Sequence, residues 1–195
     1  MIYVVTNRKL IKNGDLYSTV CKILEYGVKN VILREKDLEY NELYEVAGEM
    51  KLIADEYDAN LIVNGSLRAA EEVNAYAYHT SFRNFIENGG SKKIKNGVSV
   101  HSLGEAAEAE KMGADYLLCG NVYETNCKPG LKGRGLEFVS SIASYISIPE
   151  IAIGGIGEEN IDDVMKAGAS GAAVMSSAME DPIVVKKLMN KLDNK

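Results

Sequence analysis

Short apolar runs recur along the chain at 2–6 (IYVVT), 31–35 (VILRE), 61–64 (LIVN), 75–79 (AYAYH), 97–101 (GVSVH), 115–120 (DYLLCG), 150–155 (EIAIGG) and 171–175 (GAAVM). Most are rich in β-branched or aromatic residues. Their length is that of strands buried on both faces, as in a parallel sheet. Between them the period changes. In 40–57, Leu43, Val46, Ala47, Met50, Ala54 and Tyr57 recur every three or four residues and predict one apolar helix face. Ser102 and Glu105 have the spacing of a capping box opening a helix over 103–112, with Gly113 as its stop. Ile161, Val164 and Met165 predict another helix, ended by Gly168.

Eight strands alternating with helices imply a parallel sheet with right-handed crossovers. The two main solutions are an open doubly wound sheet and a closed barrel. Eight units favour the barrel, although 195 residues is slightly short for one. The expected architecture is therefore α/β: a single (β/α)8 TIM-barrel domain over 1–195. The segments after strands three and four leave room only for abbreviated helices.

Composition alters this picture little. Hydrophobic residues make up 46% and charged residues 26%, ordinary for a globular chain. A net charge of -6 argues against a general nucleic-acid or anionic-membrane surface, but not against a local basic pocket. Cys21, Cys119 and Cys127 are odd in number and lack zinc-like spacing, so reduced thiols in a cytoplasmic protein are expected. No run approaches a membrane span, and 1–9 reads as a first strand rather than a secretory leader.

In such a barrel the chemistry gathers at the C-terminal ends of the strands. Those ends carry Arg34, Lys36, Asn64, His79, Ser99, His101, Gly120, Gly154, Gly155, Ser176 and Ser177. Gly154 and Gly155, with Ser176 and Ser177 at a helix start, have the pattern of a phosphate cradle. Tight turns would explain the glycines alone. Arg34 and Lys36 lie two apart, which suits anion recognition or an ion pair with Glu35 or another acid. The segment 124–135 (ETNCKPGLKGRG) is longer than a minimal connection and carries Lys128, Lys132 and Arg134. It reads as a lid bringing cations to an anionic substrate, or as a solvated loop; Lys128 is the favoured contact. One of only two histidines, His101, ends the fifth run. It is either a titrating group or a strand-end residue bonded to a neighbour, and His79 is expected to be structural.

Taken in order, LREK, LIVNG, GVSVHS, GADYLLCGNVYET, CKPGLKGRG, IPEIAIGGI and GAAVMSS resemble the thiamine phosphate synthase superfamily over nearly the whole chain. The resemblance implies a closed barrel acting on phosphorylated pyrimidine and thiazole ligands. The synthase branch joins a pyrimidine diphosphate to a thiazole phosphate and expels pyrophosphate. It holds Mg²⁺ through Asn-Asp after strand three and a second aspartate after strand four. Here Asn64-Gly65 stands at the first place and TSFRNF follows His79. Mg²⁺ requires hard oxygen ligands, usually including carboxylates. The chain looks more similar to the thiazole tautomerase branch in VNG, SVHSL and the 124–135 segment.

That branch implies a cofactor- and metal-free isomerase of thiamine biosynthesis, with His101 moving a proton as a dihydrothiazole carboxylate phosphate aromatises. Arg34, Lys36, Asn64, Ser99, Lys128, Gly154, Gly155, Ser176 and Ser177 would then hold the small-molecule thiazole phosphate. The remaining alternatives are a synthase and a non-catalytic thiazole- or thiamine-phosphate binder. The resemblance also makes a homodimer an expectation, with neither nucleic acid nor membrane as partner.

Overall fold

The computed structural model describes residues 1–125 and 130–193. Eight parallel strands close into a barrel in chain order: β1 (Ile2–Val5), β2 (Asn30–Leu33), β3 (Asn60–Asn64), β4 (Ala77–Ser81), β5 (Lys95–Val100), β6 (Tyr116–Gly120), β7 (Glu150–Ile153) and β8 (Gly171–Val174). β1 pairs with β8 through Ile2–Ala172, Tyr3–Ala173 and Val4–Val174, which closes the ring. Around it run α1 (Leu16–Glu25), α2 (Tyr40–Glu56), α3 (Leu67–Glu72), α4 (Phe82–Asn88), α5 (Leu103–Lys111), α6 (Gly135–Tyr145), α7 (Ile161–Lys166), α8 (Ser176–Glu180) and α9 (Ile183–Asp193). This is the expected closed (β/α)8 barrel. The helices after β3 and β4 are indeed short, at 6 and 7 residues. That brevity is not confined to them, since α7 also has 6.

The sequence explains the helices locally. In α2 the buried residues are Leu43, Ala47, Met50 and Ala54, one face at helical spacing. In α5, Ser102 caps as expected by accepting from the Glu105 N–H, at 3.1 Å. The Glu105 carboxylate does not return to Ser102. It accepts from the His101 N–H at 2.6 Å, one residue further back. The helix entrance is thereby tied to the end of β5.

Three apolar clusters lie between sheet and helices, and a fourth fills the barrel. The fourth comprises Tyr3, Val5, Ile32, Ile62, Ala77, Tyr116, Leu118, Ile151 and Ala173. The interior is therefore packed with side chains rather than open as a pore. Gly97 on β5 makes room for one of them. A Cβ there would lie 2.1 Å from the Tyr116 ring, so only glycine lets that ring cross the barrel.

One register expectation needs correction. The apolar run 75–79 suggested that His79 ends its strand, but β4 begins at Ala77 and continues to Ser81. Ala75 and Tyr76 precede the ladder. Alternation from Ala77 then turns His79 into the barrel, where it is 1% exposed.

Candidate functional site

A cavity of about 870 Å³ opens at the C-terminal ends of the strands. Its floor is the upper part of the barrel core: Val5, Ile32, Leu118, Ile153 and Ala173. Its wall includes Arg34, Lys36, Asn64, Ser99, His101, Gly154, Gly155, Ser176 and Ser177. The topology thus brings these residues to one mouth, although they are distant in sequence. Lys128 lies outside the described residues.

On the β2 side, Arg34 follows the strand directly. Its backbone N–H donates to Thr6 Oγ1 at 2.9 Å, and its guanidinium comes within 3.9 Å of Met175 Sδ. The expected pairing of Arg34 or Lys36 with Glu35 is not what the geometry shows. Glu35 is buried and turns the other way. One carboxylate oxygen accepts from Thr6 Oγ1 at 2.7 Å, the other from the Arg8 guanidinium at 3.0 Å, and both accept from the Arg8 N–H. Arg8 also forms a two-point contact with Asp37 at 2.9 Å. Lys36 is exposed at the rim and makes no ion pair among the described residues. Among the described residues Glu35 is the one acid on the cavity wall, and it is paired with Arg8. The mouth is therefore cationic on a chain whose net charge is -6.

On the β7–β8 side, Gly154 and Gly155 have φ of +108° and +64°. A Cβ on Gly154 would lie 2.6 Å from Asn121 Cβ, and one on Gly155 would lie 2.6 Å from the Glu124 carbonyl oxygen. The fold itself thus requires glycine here, because the turn packs against the segment after β6. The exposed backbone also lines the cavity. Ser176 and Ser177 open α8, where the first N–H groups have no partner within the helix. Hydroxyls and backbone donors face the same space, a set suited to phosphate oxygens.

The β3–β4 side differs. Ser66 Oγ accepts from the Ala69 N–H and caps α3; Ser81 Oγ accepts from the Asn84 N–H and caps α4. Thr80 Oγ1 accepts from Asn84 Nδ2 at 2.8 Å. These oxygens serve the fold, and none is a carboxylate. A magnesium ion of the kind the resemblance implies would find at this edge the Asn64 amide, Gly65 and hydroxyls already acting as acceptors. Among the described residues, no group of three His, Cys, Asp or Glu could hold a metal. The residues present do not fit Mg²⁺.

His101 lines the cavity with its side chain 38% exposed, and its Nδ1 is 3.6 Å from Glu105 Oε2. His79 sits deeper. Nδ1 is 2.9 Å from Tyr116 Oη and Nε2 is 2.8 Å from Ser99 Oγ. Burial, helped by the nearby Arg34 charge, pushes its pKa down to about 3, so the ring is neutral near pH 7.

Tyr116, Arg8 and Asn121 were not legible as parts of the site, whereas Thr125 falls in the 124–135 segment read as a lid. Asn121 and Thr125 line the cavity from the segment after β6. Arg134, expected in the lid, instead donates from Nε to the Gly120 carbonyl at 3.3 Å and stacks on Phe138. A useful signal was available for Asn121 alone, since it directly follows the sixth apolar run.

The family model described as "Thiamine monophosphate synthase" matches residues 2–178. The thiamine-phosphate synthase of Clostridium acetobutylicum is 37% identical over 183 residues, covering 91% of this chain and 86% of the relative. That of Clostridium botulinum strain Langeland is 35% identical, covering 100% and 97%. Among solved structures, a thiamine phosphate pyrophosphorylase from Pyrococcus furiosus superposes with a TM-score of 0.85 at 31% identity, covering 99% of this chain and 95% of its own. These relatives bear the name of the coupling enzyme. They overturn the tautomerase reading, the isomerase class and the proton-transfer role that His101 held within it. The tautomerase branch is indicated by the missing carboxylates and by a few short motifs, one of which spans undescribed residues, whereas the similarity to synthases extends along the chain.

Proposed function

This chain belongs to the thiamine monophosphate synthase family, and on that premise we propose that it is a transferase joining a pyrimidine methyl diphosphate to a thiazole phosphate. In this reaction the methylene–oxygen bond breaks, pyrophosphate leaves with the electron pair, and the thiazole nitrogen takes the carbon. The observation that carries the reading is the cationic, donor-lined mouth, whose one acid among the described residues is already paired with Arg8.

Arg34 and Lys36 meet the diphosphate and its growing charge as it departs, and fixed cations in a partly dry cavity suit that task. Gly154, Gly155, Ser176 and Ser177 hold the thiazole phosphate. Asn64 and Ser99 face the rings, over the apolar floor. Lys128 is assigned to the anionic substrate from its place in the chain. No step is assigned to a metal, because the β3–β4 edge lacks the carboxylates. Among the described residues no helix is long and apolar enough to cross a membrane, and a cytoplasmic location fits a pathway of small phosphorylated metabolites.

The missing carboxylates favour a second reading, a binder of thiamine or thiazole phosphate without turnover. The two separate when purified protein is given both coupling substrates, with magnesium or with chelator, while pyrophosphate and thiamine monophosphate are measured. Both products in equal amounts establish the transferase. Thiamine monophosphate binding without either product establishes the binder.

A further inference from the structure

Tyr116, His79 and Ser99 form a line from the barrel interior to the cavity. We infer that Tyr116 and His79 are positioning residues that fix the polarity of the Ser99 hydroxyl, so that Ser99 donates its proton to an acceptor atom of the bound ligand. The argument follows the protons outward. Burial pushes the Tyr116 phenol well above its ordinary pKa of 10, so it keeps its proton. Among the described residues its hydrogen bonds go to His79 alone. A buried donor left unsatisfied costs about 1–3 kcal/mol. The phenol O–H therefore donates to His79 Nδ1.

A neutral imidazole that accepts at one nitrogen carries its hydrogen on the other. Nε2–H must then donate to Ser99 Oγ at 2.8 Å. With one oxygen lone pair engaged from below, Ser99 can turn its own proton to the cavity, where the side chain is half-buried. Gly97 belongs to the same device, since it makes the space in which the Tyr116 ring reaches His79.

The choice of probe rests on the proposed function, but the proton arrangement does not. The chain has only two histidines, so long-range ¹H–¹⁵N correlation spectra of labelled protein resolve both rings. His79 is expected as the Nε2–H tautomer at pH 7; an Nδ1–H tautomer would overturn the inference without any variant or ligand. The second arm measures thiamine monophosphate affinity. Tyr116→Phe should weaken it about 3- to 10-fold, the range of one ordinary hydrogen bond. In a Ser99→Ala background the same change should have less than about a twofold effect. Equal losses in both backgrounds would mean that Tyr116 acts only on packing. His79→Gln, whose amide N–H can stand in for Nε2–H, should retain more affinity than His79→Leu. If thiamine monophosphate does not bind wild type at all, the proposed function fails, while the spectrum still decides the tautomer.

Discussion

The two sides of the barrel mouth are built differently. On the β7–β8 side, glycines in left-handed conformations press against the segment after β6, and α8 begins with two serines. On the β3–β4 side, Gly65 also has positive φ, +90°, but a Cβ there would meet nothing within 4 Å. The first side is tightly constructed around backbone donors. The second is roomy, neutral and occupied by helix caps. One edge of the mouth is thus tightly packed around backbone donors, while among the described residues the opposite edge lacks carboxylates for a metal.

The largest expected effect tests that contrast directly. Gly155→Ala adds a Cβ 2.6 Å from a carbonyl oxygen at a φ of +64°. Overpacking costs about 1–3 kcal/mol and left-handed backbone about 1–2 more, so Tm should fall by roughly 5–15 °C. Gly65→Ala carries only the backbone cost and should lower Tm by roughly 2–8 °C. Calorimetry on both variants decides it. Equal shifts would mean that the two edges are not differently packed.

Next in size is the cationic wall. Arg34→Ala should weaken inorganic pyrophosphate and thiamine monophosphate by about 1.5–3 kcal/mol, or roughly 10- to 100-fold, as for loss of a charged hydrogen bond. Isothermal titration at low salt would measure it. Unchanged affinity would remove Arg34 from the site and leave the cradle as the sole anchor.

The extent to which this was legible follows from how far each signal reaches. Eight apolar runs marked eight strands because a buried parallel strand needs an unbroken apolar segment. The error of two residues at β4 arose because Ala75 and Tyr76 look like strand but lie before the ladder. That small shift moved His79 from the rim to the interior. The candidate wall residues were legible because the barrel rule places strand ends together. Arg8 was not, since its partner Glu35 is 27 residues away and nothing local announces the pair. The activity was not legible for the opposite reason: the missing carboxylates at Gly65 and after His79, with the 124–135 segment, are local signals that point to the tautomerase branch, whereas the relatives that overturn it match along the chain.

A third expectation concerns the open side, through His79. The folded protein holds this ring neutral, with a pKa near 3, facing Tyr116 and Arg34. The unfolded chain takes up a proton below the ordinary histidine pKa of about 6.5. Protonation therefore favours unfolding. Its stability contribution is intact above pH ~6.5 and declines toward pH 3, with a limiting slope of about 1.4 kcal/mol per pH unit. Urea titrations at pH 7, 6 and 5 should show His79→Gln losing less stability than wild type over that interval. Parallel losses would mean that the ring protonates readily in the folded state.

The smallest effect belongs to the ion pairs behind the cationic wall. Asp37 is held down to about 2 by its hydrogen bonds to Arg8 and then Lys9. Its lowered pKa means that its contribution is present above the ordinary carboxylate range and lost as the pH falls toward 2. The pair is exposed and screened by water, so Asp37→Asn should lower Tm at pH 7 by no more than ~2 °C, with the gap closing in acid. Arg8 keeps its bond to the buried Glu35, whose side chain is 1% exposed, so the wall should stay in place. Thiamine monophosphate affinity should accordingly be unchanged in Asp37→Asn at moderate salt. A loss comparable with that of Arg34→Ala would show that Asp37, rather than Glu35, sets the position of the residues after β2, and the two sides of the mouth would then differ in rigidity as well as in charge.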